Sequence, residues 1–234
     1  MTELPKGCMA LDSSVSRRTV VIDAGYVPLE GELALPAEPH GIIVFVHGSG
    51  SSRFSPRNAW VAGYLNRAGL ATLLFDLLSA EEELTDRQTS EHRFDIPLLS
   101  SRLAAALGWL HTDGDVVELP IGLFGASTGA GAALIAAADH PSAVGAVVSR
   151  GGRPDLADDA LSRVQAPTLL IVGELDVVVQ TLNEDAMMRM AAEVSLAIVP
   201  GASHLFEEPG TLDKAAALAR DWFLGHLTDP AAHR

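Results

Sequence analysis

Residues 119–139 read LPIGLFGASTGAGAALIAAAD, and the fold is decided here. Leu119 to Phe124 is an apolar run of strand length. Ser127 to Asp139 is rich in Ala and Gly and reads as a helix. Between them, Gly125-Ala126-Ser127-Thr128-Gly129 fits G-x-S-x-G. A serine in that context sits on a sharp strand-to-helix turn that lifts its hydroxyl above the end of a sheet. Such a turn strains and crowds the backbone, so glycine is needed on both sides. Ala130, Gly131, Ala132 and Ala133 extend the small surface and let the helix lie close to the sheet. The helix N-terminus favours negative charge beside the serine. A bare five-residue match arises by chance in Gly/Ala-rich helix starts; the strand before and the helix after give this one its weight.

Working outward, the same alternation repeats. Gly41–Val46, Leu70–Phe75, Val144–Ser149 and Thr168–Val172 are continuous apolar runs, with Ser195–Val199 a shorter one. This is the pattern of parallel strands buried on both faces. Helical patterns separate them: Pro56–Ala68, opened by Ser55 and Pro56, then Asp95–His111, Leu182–Ala192 and Thr211–Leu227. Ahead of them, Arg17–Asp23 and Leu29–Leu35 alternate and form an antiparallel pair around a turn with Gly25. Strands alternating with helices imply right-handed crossovers and a doubly wound sheet. The acidic stretch Glu81, Glu82, Glu83, Asp86 is expected to be a solvated loop. The chain is expected to be one domain, 1–234, with 1–16 a loosely ordered N-terminal segment.

A nucleophilic serine needs a base and an acid, in the order Ser, Asp/Glu, His along a chain of this kind. His204 lies in Pro200-Gly201-Ala202-Ser203-His204, directly after the last strand. Loops at strand C-termini gather along one sheet edge, where active sites form. His140 closes the helix after the elbow as a cap, and His226 and His233 lie in or after the last helix. His204 is therefore the expected base. Thr168–Val172 leads into Gly173-Glu174-Leu175-Asp176, which makes Asp176 the expected acid and Glu174 the weaker candidate. A carboxylate on the imidazole fixes its tautomer and stabilises the imidazolium. Asp76 also ends a strand but precedes the nucleophile and is read as closing a loop.

Negative charge that develops on a carbonyl oxygen needs backbone donors. One is the amide of Thr128. The other is expected from His47-Gly48-Ser49-Gly50 after the first buried strand, which points to Ser49. His47 is read as a structural residue of that loop. Arg53 and Arg57 follow the loop, and Arg150 and Arg153 follow Val144–Ser149. Arginine grips carboxylate or phosphate by paired hydrogen bonds. These four are candidates for binding an acidic substrate; the competing reading braces the loops through Asp155, Asp158 or Asp95, with Arg150 bracing the elbow.

Composition narrows the class. With 30 acidic and 16 basic residues the formal net charge is -14, which argues against nucleic acid or an anionic membrane surface as partner. Cys8 is the single cysteine, so no disulfide forms within the chain and a reducing cytoplasm is expected. No secretory signal or membrane span is read. Metal-binding H-E-x-x-H, paired-cysteine and phosphate-loop patterns are missing, and no cofactor is expected.

Together, His47-Gly48-Ser49-Gly50, the elbow, Asp176 and Gly201-Ala202-Ser203-His204 resemble the α/β-hydrolase superfamily. The compact chain without a large cap resembles its dienelactone hydrolase-like branch. Ser51–Asn58 and Ser149–Pro154 are similar to a bacterial subgroup, members of which are sometimes joined to phosphoribosyltransferase domains. The resemblance implies an α/β-hydrolase fold, a mostly parallel sheet with helices on both faces. It also implies acyl chemistry through Ser127, Asp176 and His204. Dienelactone hydrolases themselves use a cysteine nucleophile, and a serine stands here, so an ester or related acyl compound is the expected substrate. The reading is a serine carboxylesterase for small or short-chain esters, monomeric or dimeric. A thioesterase, amidase or peptidase would use the same triad, and a non-catalytic binding protein on this scaffold is the alternative of another class.

Overall fold

The computed structural model describes residues 15–228. Among these residues, eight strands form one sheet: β1 (Val15–Asp23), β2 (Pro28–Pro36), β3 (Gly41–Val46), β4 (Leu70–Phe75), β5 (Ile121–Ala126), β6 (Val144–Arg150), β7 (Thr168–Gly173) and β8 (Val194–Val199). Their order is β1-β2-β4-β3-β5-β6-β7-β8. The first two pair antiparallel to each other and β2 pairs antiparallel to β4, while every other pairing is parallel. This is the doubly wound, mostly parallel α/β-hydrolase fold read from the sequence. Val15 and Ser16, which fall within the segment expected to be loose, belong to β1. The rest of that segment, with Cys8, lies outside the described residues.

Six α-helices among the described residues connect the strands: α1 (Pro56–Arg67), α2 (Ala80–Thr89), α3 (Ile96–Leu110), α4 (Thr128–Asp139), α5 (Val177–Arg189) and α6 (Thr211–Leu227). β3, β4, β5 and β7 are buried along their whole length, which explains their unbroken apolar runs. Helices α3 and α4 cover one face, packing on Val44, Leu73, Leu123 and Val147. Helices α1 and α6 cover the other, packing on Ile43, Phe124, Val148 and Ile171. Phe45 and Phe124, on neighbouring strands of this second face, approach to 4.9 Å between ring centroids. Burying each such ring stabilises the fold by roughly 1.5–3 kcal/mol.

Three local expectations are corrected. The acidic stretch is helix α2, not a loop. Ser79 and Glu82 cap it reciprocally, and Glu81, Glu82 and Glu83 sit in its first turn, where the helix dipole favours carboxylates. Asp86 of that helix is buried, accepting from the amides of His92 and Arg93 and from Arg93 Nε at 2.7 Å. Helix α5 starts at Val177, before the expected Leu182, because Asp176 supplies its N-cap position and Val177 and Val178 face solvent. Pro154–Arg163, read without an element, is a 3-10 helix kinked at Asp158. No helix among the described residues is long and apolar enough to cross a membrane.

Candidate active site

The turn from β5 into α4 places Ser127 at φ 51, a left-handed conformation that a serine adopts only under constraint. The surroundings impose it. A Cβ on Gly125 would stand 2.5 Å from Ala130 Cα, and one on Gly129 would stand 2.2 Å from the Val46 carbonyl oxygen. No side chain fits at either position, so the helix reaches the sheet only with glycine there. The loop after β6 clamps the same turn. Ser127 N–H donates to Arg150 O at 3.3 Å, and Ser127 O accepts from Arg153 N–H at 3.0 Å. The brace read for Arg150 is thus supplied by main chain. Asn183, buried on α5, secures that loop by donating to Gly152 O at 3.0 Å.

His204 stands in the loop after β8, and its Nδ1 lies 2.6 Å from Asp176 Oδ2. The carboxylate is mostly shielded while the imidazole stays accessible, with side-chain exposures of 14% and 39%. Asp176 occupies the N-cap position of α5 without capping it, so its carboxylate is committed to the histidine. The competing acid, Glu174, is engaged elsewhere. Its Oε2 accepts from Gly201 N–H at 2.7 Å and ties down the loop that carries His204. Glu208 holds the same loop through Ser203 N–H at 2.9 Å. Gly151, between the two residues that clamp Ser127, packs against His204: a Cβ there would lie 3.0 Å from its carbonyl oxygen. Nucleophile, base and acid candidates therefore meet at one edge of the sheet. No hydrogen bond joins Ser127 Oγ to His204, a contact that in hydrolases often tightens only with substrate.

The oxyanion loop crosses the elbow closely, since a Cβ on Gly48 would stand 2.9 Å from Ser127 Cβ. Ser49 N–H is not free. It donates to Thr128 Oγ1 at 2.8 Å. Thr128 begins α4, so its own amide has no acceptor within the helix. His47 anchors the loop: its Nε2 accepts from Leu77 N–H at 3.1 Å and its Nδ1 lies 3.0 Å from Gly48 O. Burial holds its pKa below the ordinary 6.5, and because Nε2 accepts from Leu77 N–H, Nδ1 carries the proton and donates it in a hydrogen bond to Gly48 O. Arg93, absent from the sequence reading, supports the loop through its carbonyl, which accepts from Ser49 Oγ at 3.5 Å. A cleft of about 780 Å³ adjoins the loop, lined by His47, Gly50, Arg53, Phe54 and Leu84 among others.

The four candidate arginines part company. Arg53 pairs with Asp76 and Glu30, which also gives Asp76 its loop-closing place. Arg153 is bidentate on Asp155, at 2.8 and 2.6 Å. Asp158 pairs with Arg189 and Asp95 caps α3, so neither braces these loops. Arg57 makes an exposed pair with Glu207 at 3.3 Å. Arg150 is buried with no carboxylate partner among the described residues. No group of three or more His, Cys, Asp or Glu gathers among the described residues to hold a metal.

Comparison with known proteins identifies the family. The model of the dienelactone hydrolase family matches residues 29–224. A crystal structure of dienelactone hydrolase from Anabaena variabilis is 55% identical, with a TM-score of 0.90 over 92% of this chain and 99% of that one. Est1E from Butyrivibrio proteoclasticus, at 16% identity and a TM-score of 0.75 over 90% of this chain and 99% of its own, shares the fold. Two proteins from strains of Mycobacterium tuberculosis, provisionally named phosphoribosyl transferases, are each 57% identical over 221 residues. That match takes in 94% of this chain and 49% of theirs, so the chain spans about half the length of these relatives. With its α/β-hydrolase fold, and a family match running from β2 into α6, the chain belongs to the dienelactone hydrolase family.

Proposed function

We propose that the chain is a serine carboxylesterase for small or short-chain esters. One observation carries the reading. An imidazole fixed by a carboxylate at 2.6 Å shares a sheet edge with a serine held in a strained left-handed turn. The bond from Nδ1–H to Asp176 leaves the lone pair on Nε2, the nitrogen that takes a proton. His204 Nε2 removes the proton from Ser127 Oγ as that oxygen attacks the ester carbonyl carbon. The tetrahedral oxyanion is held by backbone N–H groups of Thr128 and Ser49. Collapse expels the alcohol, which takes its proton from His204, and leaves an acyl-enzyme. Water then adds to the acyl carbon, its proton passing to His204. The acid leaves as Ser127 recovers its hydrogen.

The cleft beside the oxyanion loop offers room for one arm of the ester. The pocket, not the triad, separates an ester from a thioester or amide. The single cysteine supports a reducing, cytoplasmic setting, and an enzyme that acts on a small-molecule ester as a monomer or homodimer completes the proposal. The transferase name of the two mycobacterial relatives attaches to proteins about twice as long, and this site gives it no support. The test is hydrolysis of short-chain p-nitrophenyl esters by the wild type and Ser127→Ala, beside labelling with a fluorophosphonate. Turnover and labelling that both vanish in Ser127→Ala are expected. A wild type that neither turns over nor labels would point to a binding protein on a hydrolase scaffold.

A further inference from the structure

The cleft beside the oxyanion loop has a volume of about 780 Å³, inside the ~300–1,000 Å³ of small-molecule sites. The turn between β1 and β2, the loop from β3 into α1, and α2 wall it. Tyr26, Phe54 and Leu84, one from each wall, are all large and exposed, and all face this cleft. Apolar side chains gathered round a concavity mark a binding groove. The walls are held in place. Arg53 lies 4.2 Å from the centroid of the Phe54 ring and is itself fixed by Asp76 and Glu30. The capping box of Ser79 and Glu82, with the buried Asp86, secures the helix that carries Leu84. The polar part of the lining is acidic. Its two arginines are committed to carboxylates, Arg53 to Asp76 and Glu30, and Arg87 to Glu83. Glu81 adds a further carboxylate. An anion entering here would meet charge of its own sign.

The place of the cleft decides which arm of an ester enters it. Gly50 and Ser51 of the oxyanion loop line it, and Gly48 of the same loop packs against Ser127. In the sheet, β1, β2, β4 and β3 lie on one side of β5, and β6, β7 and β8 lie on the other. The walls of the cleft belong to the first group. Asp176 and His204, in the loops after β7 and β8, belong to the second. The departing alcohol takes its proton from His204, so it leaves on the β8 side. The acyl group, across the carbonyl carbon, is directed toward the cleft. A separate set of exposed apolar residues, Leu175, Val177, Val178 and Leu205, flanks Asp176 and His204 in sequence and borders the path of the alcohol.

We propose that this cleft is the acyl site. It takes an uncharged apolar acyl group longer than acetyl, with Leu84, Phe54 and Tyr26 setting its size, and its acidic wall turns away acyl groups tipped with a carboxylate. The proposal rests on the reading of Ser127 as nucleophile and narrows the small esters of that reading by their acyl end. It gives the exposed ring of Phe54 and the exposed Leu84 side chain a partner, and it leaves Arg53 to its structural carboxylates.

The test compares p-nitrophenyl acetate, p-nitrophenyl octanoate and the p-nitrophenyl half-ester of suberate, which matches octanoate in length and ends in a carboxylate. A buried methylene is worth roughly 4-fold in kcat/KM, so octanoate should exceed acetate by at least about 10-fold. The suberate half-ester should fall below octanoate by about 10-fold, because its carboxylate finds no counter-charge. Leu84→Trp should lower the octanoate-to-acetate ratio about 10-fold by filling the cleft. Leu84 is 61% exposed, so the change leaves the core untouched. Phe54→Ala should lower the ratio less. Val178→Ser, on the alcohol side, should leave it unchanged. Glu81→Lys should raise the suberate-to-octanoate ratio by about 2–5-fold, the size of an exposed charge contact. A wild type that prefers acetate or suberate would overturn the proposal. So would a ratio that shifts in Val178→Ser and not in Leu84→Trp, since the arms would then be reversed. Saturation-transfer NMR with octanamide on the full chain reads the cleft without turnover. Binding that weakens in Leu84→Trp, with no ester hydrolysed, would keep the cleft while the esterase reading fails. Ester turnover without octanamide binding would keep the esterase and overturn the cleft.

Discussion

Ser49 N–H donates to Thr128 Oγ1 at 2.8 Å, so the two residues expected to form the oxyanion hole are joined to each other. Their hydroxyl oxygens are also 2.9 Å apart. The threonine side chain holds the Ser49 amide at the elbow, and in the proposed reaction a substrate oxyanion would replace it as acceptor. Exchanging one oxygen acceptor for another leaves the amide satisfied throughout. Thr128→Val keeps the amide donor and removes the hydroxyl, so the loop loses its anchor. We expect kcat on p-nitrophenyl acetate to fall roughly 10-fold, less than the 10²–10³ of a donor removed outright. Thr128→Ser should stay within about 3-fold of the wild type, since losing only the methyl perturbs packing by less than about 1 kcal/mol. Equal rates in the valine and serine variants would show that the hydroxyl is idle.

Asp176→Asn tests the acid. The amide can accept from Nδ1–H or present its own N–H to the ring, and the second choice holds the wrong tautomer. The expected loss in kcat is about 10⁴-fold, the size seen in triads with that change. Because Asp176 does not cap α5 with its side chain, melting temperature should move little. Glu174→Gln should show a much smaller kinetic effect, since Glu174 only ties Gly201. A larger kinetic loss in the Glu174 variant would exchange the two assignments.

The elbow, the alternation of buried strands with helices and the loops that carry Asp176 and His204 could all be read from the chain, because each rests on a local pattern. Strands buried on both faces leave unbroken apolar runs. A sharp turn leaves small residues where nothing else fits. What escaped depends on contacts distant in sequence. Nothing near Arg150 announces that its guanidinium stays unpaired, while Arg153 finds Asp155 two residues away. Helix α2 was missed for another reason. Its run of acids looks solvated, yet Ser79 and Glu82 form a capping box that a search for Ser-x-x-Glu would find. The Ser49–Thr128 bond spans 79 residues and has no sequence signal.

His47 sets an acid limit on the fold. Burial lowers its pKa, opposed by its bond to Gly48 O and by Asp76 and Glu83. In the unfolded chain it titrates near 6.5. Between the folded and unfolded values the unfolded chain binds the extra proton. This contribution to stability is therefore complete above 6.5 and is lost as pH falls toward the folded value. Protonation would also break the bond from Leu77 N–H. His47→Gln can accept that same N–H without titrating. Urea midpoints should fall more steeply in the wild type than in His47→Gln between pH 7.5 and pH 5. At pH 7.5 the variant should be weaker by about 1 kcal/mol for its lost bond to Gly48 O. Parallel declines would show that other groups set the acid limit.

Two glycine-to-alanine changes separate a steric requirement from a conformational one. Gly129 lies where a Cβ would meet the carbonyl oxygens of Val46 and His47 at 2.2 and 2.5 Å. Both belong to backbone at the end of a central strand, which cannot move without opening the sheet. Gly129→Ala should therefore cost at least about 3 kcal/mol, the upper end for overpacking. For a chain of this size that is a fall in melting temperature of about 6–12 °C, together with lost turnover. Gly225, inside α6, has nothing within 4 Å of its added Cβ. There alanine removes only the chain's freedom to leave the helix, and Gly225→Ala should gain up to about 1 kcal/mol. Thermal unfolding of the two variants beside the wild type checks both signs. A Gly129→Ala protein as stable as the wild type would mean that α4 can stand off from β3, and that the strain at Ser127 is not enforced by close packing.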